Sequence, residues 1–341
     1  MIIAQGISFL QGIYKRFRKK GFFSTLNEMY SYSKYYNGIL TLNKFDLSLK
    51  RKLSHLTFYS RICNLFPEIN SQELFLIIPR SLTHSVYEKF NIDRRNLTFD
   101  KLKMYQKMIE NDIRIPETYY MDNGILKKIG HENDIEAADL DQKIILKPRF
   151  SNGGDGIKMI HKKEIDQNDS FLYQKILLNH SIIRIIQGNN FCSTLRYVFY
   201  NAQEPQPIGA SFQFNTGKVI DQMMKGGSIS VLVNTNTGEL MGKAFDSKGH
   251  SFENHPISNF KFDGFQLPNW DLVLREIQKI SQNYPTLPII AADICISQSN
   301  CFVLEINAGC GTVAGQLNIG WLNHPFFKDY YPKRPILNVK D

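Results

Sequence analysis

Several things this chain lacks narrow its chemistry. Its five cysteines, Cys63, Cys192, Cys295, Cys301 and Cys310, are odd in number and never fall at Cys-x-x-Cys spacing. That argues against a disulfide framework and against a zinc knuckle, and a reducing cytoplasm is the expected setting. The eight histidines include no His-x-x-x-His run, so a zinc site is not expected. There is no Gly-x-Ser-x-Gly elbow for serine hydrolysis, no Gly-Lys-Ser/Thr phosphate loop and no dinucleotide fingerprint at a strand–helix turn. No apolar stretch reaches the length needed to span a bilayer. No internal repeat, low-complexity tract or nucleic-acid module with interleaved aromatics stands out.

What is present is a chain of 341 residues with 43% hydrophobic and 21% charged residues, the composition of a folded protein with two or three lobes. The formal net charge of +9 suits an anionic partner such as nucleotide phosphates, a sugar phosphate or an acidic membrane surface. At the N-terminus, Ile3, Ile7, Leu10, Tyr14 and Phe17 recur at helical spacing, and Lys15, Arg16, Arg18, Lys19 and Lys20 follow. The charge comes after the apolar part, the reverse of a secretory signal. Residues 1–23 therefore read either as a helix on the inner face of a membrane or as a docking helix with a solvated basic end.

Periodicity divides the chain into three regions. Residues 1–97 are mostly helical, with "ELFLIIP" open between strand and helix turn. Residues 98–173 form a small αβ lobe: a helix capped by Asp100, an extended "IRIPETYYM", and a hairpin of "KIILKPRF" and "IKMIHKKE" around the glycine turn "SNGGDG". Residues 174–341 form a larger lobe of strands with one helix, "NWDLVLREIQKISQNY". Asn236-Thr237-Gly238 and Ser297 to Asn300 read as hairpin loops. The fold class is α+β.

The stretch "FVLEINAGCG" carries the sharpest signal. Alternation on a strand puts Glu305 and Asn307 on one face and Leu304 and Ile306 on the other. A short loop separates this strand from "AADICIS", so antiparallel pairing would bring Asp293 alongside. Two carboxylates and an amide oxygen are hard ligands of the kind magnesium takes, and their apolar setting demands partners. An exposed acidic strand face is the alternative. Lys147 stands before the glycine loop, where Gly153, Gly154 and Gly156 would let backbone N–H groups approach a polyphosphate. Arg196, on an apolar strand, needs an anion, either a carboxylate or phosphate oxygens. Lys225, Gly226 and Gly227 form a second short glycine segment, and His255 precedes a proline.

The order of these pieces resembles the ATP-grasp enzymes. They are "DKL" with Lys101, "LKPRFSNGGDGI" with Lys147, the hinge "LYQKIL", "TLRYV" with Arg196, "AADI" with Asp293 and "LEINAG" with Glu305 and Asn307. Within that fold the chain is similar to the sugar-transfer associated ATP-grasp family. The shared stretches are "IPRSLTHSVYEKFN", "YQKILLNHSIIRIIQGNNFCSTLRYVFY", "KGGSISVLVNTNTGEL" and "ENHPISNFKFDGFQLPNW".

The resemblance implies two lobes gripping ATP, with Mg2+ or Mn2+ on Asp293, Glu305 and Asn307. It places Lys101, Lys147, Ser151, Gly153, Gly154 and Gly156 on the phosphates, and Gln174, Lys175 and Ile176 at the hinge. Arg196 and Lys225 would serve the reaction, and Gly226, Gly227 and His255 the substrate. The implied activity is a carboxylate–amine ligase acting through an acylphosphate on sugar-linked substrates in bacterial capsule or surface-polysaccharide synthesis. A kinase acting on a sugar-like hydroxyl and a non-catalytic nucleotide-binding scaffold are the alternatives. Two departures from the family pattern stand out: Asp155 where such loops often carry a basic residue, and a hinge with no nearby acid in sequence.

Overall fold

The computed structural model describes residues 2–43, 49–65, 69–89, 98–131, 140–151, 154–166, 168–219, 227–308, 314–316 and 320–335. The chain opens with helices α1 (Ile2–Lys20), α2 (Phe22–Leu42), α3 (Leu49–Leu65), α4 (Ser71–Leu76) and α5 (Arg80–Lys89). Gly21, at φ 85°, makes the reversal between α1 and α2, a left-handed conformation that a side chain would strain. The ambiguous "ELFLIIP" lies at α4 and just beyond it, and the polar residue before the helix decides the matter. The Asn70 side chain accepts from the Glu73 N–H at 2.8 Å, while the Glu73 carboxylate accepts from the Asn70 N–H at 3.3 Å, a capping box.

The basic end of α1 is not simply solvated. Arg16 is fully buried, its Nε and Nη2 donating to the two oxygens of Glu28 at 2.7 and 2.9 Å. Lys20 Nζ and the Tyr59 hydroxyl donate to the same carboxylate at 2.9 and 2.8 Å. Lys15 Nζ donates to the carbonyls of Asn64 and Lys248, both at 3.1 Å, and so ties α1 to α3 and to the distant C-terminal half. Gly12 lies so close to Ser60 that a Cβ there would fall 1.9 Å from the Ser60 carbonyl oxygen.

The next element is α6 (Lys101–Glu110), capped by Asp100, whose side chain accepts from the Leu102 N–H at 3.1 Å. A five-stranded antiparallel sheet follows, with strands β1 (Thr118–Asp122), β2 (Ile125–Lys128), β3 (Lys143–Pro148), β4 (Lys158–His161) and β5 (Phe171–Gln174) in the order β2-β1-β5-β3-β4. The hairpin around "SNGGDG" is β3–β4, at the edge of this sheet.

A short helix, α7 (Ser181–Gln187), leads into the second sheet. Its strands are β6 (Thr194–Tyr200), β7 (Gln206–Asn215), β8 (Ser228–Val233), β9 (Leu240–Phe245), β10 (Ser251–Phe252), β11 (Ile289–Ile296) and β12 (Cys301–Ala308). They are ordered β10-β9-β8-β7-β6-β11-β12, all antiparallel. Helix α8 (Trp270–Asn283) buries Val273, Ile277 and Ile280, spaced three and four apart, and contacts β11 and β12. Near the C-terminus come α9 (Pro325–Tyr330) and, just before it, Gln316. The Gln316 amide accepts from the Ile78 N–H at 2.8 Å and donates to the Ile78 carbonyl at 3.0 Å, joining the helical region to the large sheet. Burial pushes the Cys63 and Cys301 thiols up to about 12, the behaviour of inert core residues.

The buried Arg16 makes Glu28 the support of the α1–α2–α3 packing. Replacing Glu28 with alanine leaves a buried guanidinium unpaired and is expected to cost about 3–5 kcal/mol. Urea unfolding monitored by circular dichroism measures this, and a loss under about 1 kcal/mol contradicts the assignment.

Candidate active site

The sheet register builds the centre of the site. Asp293 on β11 pairs with Arg196 on β6 on one side and with Glu305 on β12 on the other. Residues opposite one another share a face, so the three side chains form a row across three strands. Asn307, two residues beyond Glu305, joins the same face. A register irregularity follows Asp293 directly, as bulges often do beside functional residues. Every residue of β11 is buried, and Asp293 is the one acid among them.

A charge in such a strand needs partners. Arg196 supplies them in fork geometry, with Nε and Nη2 each donating at 2.8 Å to a different Asp293 oxygen. Asn307 Nδ2 donates to Asp293 Oδ2 at 3.2 Å, which leaves the Asn307 carbonyl oxygen as a donor atom for a cation. Burial holds the Glu305 carboxyl above its ordinary value; the Asp293 charge adds to this and Lys101 opposes it.

The small sheet brings positive charge to the row. Lys101 Nζ lies 3.7 Å from Glu305 Oε1 and donates to the Ser151 carbonyl and, at 3.3 Å, to Ser151 Oγ. Burial lowers the Lys101 ammonium from its usual range, with Glu305 opposing. Lys147 Nζ is 3.4 Å from the Tyr105 hydroxyl, which donates to the Leu304 carbonyl of β12 at 2.6 Å. Tyr105 thus links the two lysine-bearing elements to the strand of Glu305.

A pair that sequence reasoning missed fixes the position of Lys101. Arg149 grips Asp100 with two bonds of 2.7 Å, and the Lys101 N–H donates to the Arg149 carbonyl at 3.2 Å. Burial alone would raise the Asp100 carboxyl, but the Arg149 guanidinium holds it below its ordinary range. The cap at Asp100 was legible; its second role required knowing that β3 ends beside α6.

Between the sheets lies a cavity of about 540 Å³. Ile145, Ile157 and Met159 of the small sheet region and Leu304 of β12 give it apolar walls, and Lys147 stands in its lining. The hinge residues Gln174, Lys175 and Ile176 line it too, as does Cys192. The volume and the flat apolar walls suit a nucleobase with sugar and phosphates. The Gln174 side chain itself is spent on Thr118, donating to Oγ1 at 2.8 Å, so its contribution to the cavity is not a free amide. Lys175 Nζ lies 3.8 Å from Oδ2 of the exposed Asp141.

The glycine turn reaches Gly154 and Gly156, both at positive φ, 68° and 78°. A Cβ on Gly156 would meet Pro148 Cγ at 2.6 Å. Asp155 is exposed at the tip. Gly153, Lys225 and Gly226 lie outside the described residues. Gly227 is buried, its carbonyl accepting from the Thr216 N–H at 3.0 Å. His255 is not brought to the site. It is 1% exposed with its ring against Phe214 and Phe262, its Nδ1 accepts from the Ile257 N–H at 3.3 Å, and burial pulls its pKa down to about 4. Its proline-flanked loop gave no hint of this aromatic setting. Ser211 is the register partner of Arg196, and Ser230, on the next strand, pairs with Gln213; both hydroxyls are buried and neither has a partner.

Among the described residues no group of three His, Cys, Asp or Glu side chains is placed to hold a metal ion. The donor set here is of another kind, two carboxylates and an amide oxygen, and it fits a hard divalent cation that keeps water and phosphate oxygens in its remaining positions.

Two antiparallel sheets with a glycine turn, two lysines and an oxygen-donor row form the α+β arrangement that the resemblance to the ATP-grasp enzymes implies. Residues 164–324, a little under half of the chain, match the family model described as sugar-transfer associated ATP-grasp. No curated protein matches the chain. Among solved structures, the chain is similar to an ATP-grasp superfamily protein of Archaeoglobus fulgidus, at 14% identity and TM-score 0.35, over 64% of this chain and 47% of that one. It is also similar to D-alanine–D-alanine ligase of Bacillus anthracis, at 11% identity and TM-score 0.39, over 73% of each chain. A third is phosphoribosylamine–glycine ligase of Thermotoga maritima, at 10% identity and TM-score 0.42, over 69% of this chain and 54% of that one. The chain thus spans about half the length of the first and third.

In this arrangement a cation at Asp293 would have to compete with Arg196. Arg196→Gln is expected to raise the affinity for Mn2+ in the absence of nucleotide by roughly tenfold, the worth of one well-formed ion pair. Titration of Mn2+ by electron paramagnetic resonance reads it. Unchanged or weaker Mn2+ binding contradicts the competition.

Proposed function

We propose that the protein is an ATP-dependent ligase that joins a carboxylate to an amine. The observation that carries this reading is the row Arg196–Asp293–Glu305–Asn307 with Lys101 against Glu305, together with a nucleotide-sized cavity lined by Lys147 and by Leu304, the residue before Glu305. ATP is the substrate that fills the cavity, its base against Ile145, Met159 and Leu304 and its phosphates toward Lys101 and Lys147. Magnesium, held by Asp293, Glu305 and Asn307, would neutralise charge on the phosphates. Positioning and electrostatics suffice for phosphoryl transfer, which accords with the row's lack of a nucleophilic side chain.

The residues then divide the work. Lys101 and Lys147 hold phosphate oxygens, and the turn at Gly154 and Gly156 closes over them with backbone N–H groups. Arg196, released from Asp293, steadies the transferring phosphoryl group and the acceptor carboxylate. A carboxylate oxygen takes the γ-phosphoryl group and ADP leaves. The amine then attacks the acyl carbon, phosphate departs with the former carboxylate oxygen, and the amine loses a proton. The family match supports a sugar-linked acceptor, such as a uronic acid in surface-polysaccharide or glycoconjugate synthesis.

The test is ADP release with ATP and Mg2+ against a panel of uronic and amino acids, with products weighed by mass spectrometry. Expected is turnover that needs both a carboxylate and an amine and yields an amide. Glu305→Gln and Asn307→Ala are each expected to lower kcat by about a hundredfold or more. A phosphorylated product formed without amine supports a kinase instead, and tight ATP binding with no product supports the scaffold; either overturns the ligase reading.

A further inference from the structure

Helices α1 and α2 expose an apolar face that no described part of the chain covers. Leu10, Tyr14 and Phe17 follow one another at helical spacing on α1 and are 66%, 57% and 37% exposed. Phe22, Phe23 and Tyr30 continue the face on α2 at 52%, 83% and 64%. The rings form one chain: centroids of Tyr14 and Phe17 lie 6.4 Å apart, Phe17 and Phe22 5.8 Å, Phe22 and Phe23 5.5 Å. The sharp reversal at Gly21 sets Phe22 and Phe23 at the turn between the helices. Exposed apolar side chains scattered singly need no explanation, but a contiguous aromatic face on two helices does.

The opposite side of α1 is fixed to the body of the protein. Gly12 lies against Ser60, Arg16 is buried on Glu28, and Lys15 spans to the carbonyls of Asn64 and Lys248. The apolar face is therefore held outward by a rigid support and is not a frayed end.

Charge selects the occupant. Among the first 43 residues the basic side chains are Lys15, Arg16, Arg18, Lys19, Lys20 and Lys34, and the single acid is Glu28. Glu28 is buried beneath Arg16 and Lys20, so α1 and α2 present no exposed carboxylate. Arg18, Lys19 and Lys34 are exposed around the aromatic face, with the Lys34 ammonium 5.9 Å from the Tyr30 ring centre. A second copy of this chain docked symmetrically would set like charges against like charges around its rim. A bilayer with anionic headgroups meets both features, since rings settle at the interface and cations sit among the phosphates.

We propose that α1 and α2 form a docking face for an anionic lipid bilayer, with Phe22 and Phe23 entering the headgroup boundary. The sequence pattern left residues 1–23 open between a membrane-surface helix and a docking helix and gave them five cations. The structure assigns Arg16 and Lys20 to Glu28 and adds the exposed face of α2. The proposal is independent of the reaction catalysed.

The experiment is flotation of the full chain with vesicles of phosphatidylcholine alone or mixed with phosphatidylglycerol, at low and high salt. The protein is expected to float with the mixed vesicles and to be released by salt. The double variant Phe22→Ser/Phe23→Ser should lose flotation. Arg18→Gln/Lys19→Gln should weaken it roughly tenfold or more. Both variants alter exposed residues, so their thermal unfolding should match the wild type; sedimentation velocity reads self-association in parallel. Absence of flotation with the anionic vesicles overturns the proposal. So does flotation unaffected by the Phe22/Phe23 variant, and so does a dimer that this variant dissolves.

Discussion

The ion pair between Arg196 and Asp293 is the interaction on which the rest of the site depends. Strand β11 is buried throughout, and an acid in such a strand is tolerated only with its charge answered. Arg196 answers it with two bonds from the neighbouring strand, and Asn307 adds a third from the other side. The same register that satisfies Asp293 aligns Glu305 beside it, one residue along β12 from Leu304 in the cavity lining. A pair built this way also stores its own alternative. If a divalent cation takes the Asp293 oxygens, the guanidinium is freed next to the phosphates it would serve, so metal binding and arginine release become one event in the proposed reaction.

The opposite wall is organised by a second ion pair. Asp100 both caps α6 and receives Arg149, so the first residue of the helix, Lys101, is held where β3 ends. Tyr105, one turn further along α6, touches Lys147 and the backbone of β12. The positive side of the cavity is thereby keyed to the negative side through a tyrosine and not through the flap alone. In the proposed reaction the glycine turn would close over the phosphates, and Gly154 and Gly156 sit at positive φ, which glycine adopts without strain.

The parts of this arrangement legible in the sequence were those governed by local rules. Period-two alternation put Glu305 and Asn307 on one face, and a short loop implied that "AADICIS" pairs back on them; the register agrees. The β3–β4 hairpin with its glycine turn and the apolar stripe of α8 were equally local. What could not be read was long-range pairing. Arg16 sits in a basic run and reads as solvated, yet it is buried because Glu28 arrives on the next helix. Arg149 reads as the end of the strand "KIILKPRF", and nothing local names Asp100 as its partner. Helix α7 follows "LYQKIL" after the polar stretch Asn179-His180-Ser181, and its seven residues are too few for a helical period to declare itself. His255 shows the converse: a residue singled out for function sits among phenylalanines supplied by distant segments.

The central claim is that Asp293, Glu305 and Asn307 share one cation and that Asp293 leaves Arg196 to do so. Anomalous diffraction from crystals soaked with Mn2+ and a non-hydrolysable ATP analogue tests it most directly. The account predicts a single manganese peak at about 2.2 Å from oxygens of all three side chains, with the Arg196 guanidinium turned toward the phosphates. A nucleotide bound in the cavity with Asp293 still gripped by Arg196, or a metal peak away from the three, would contradict it.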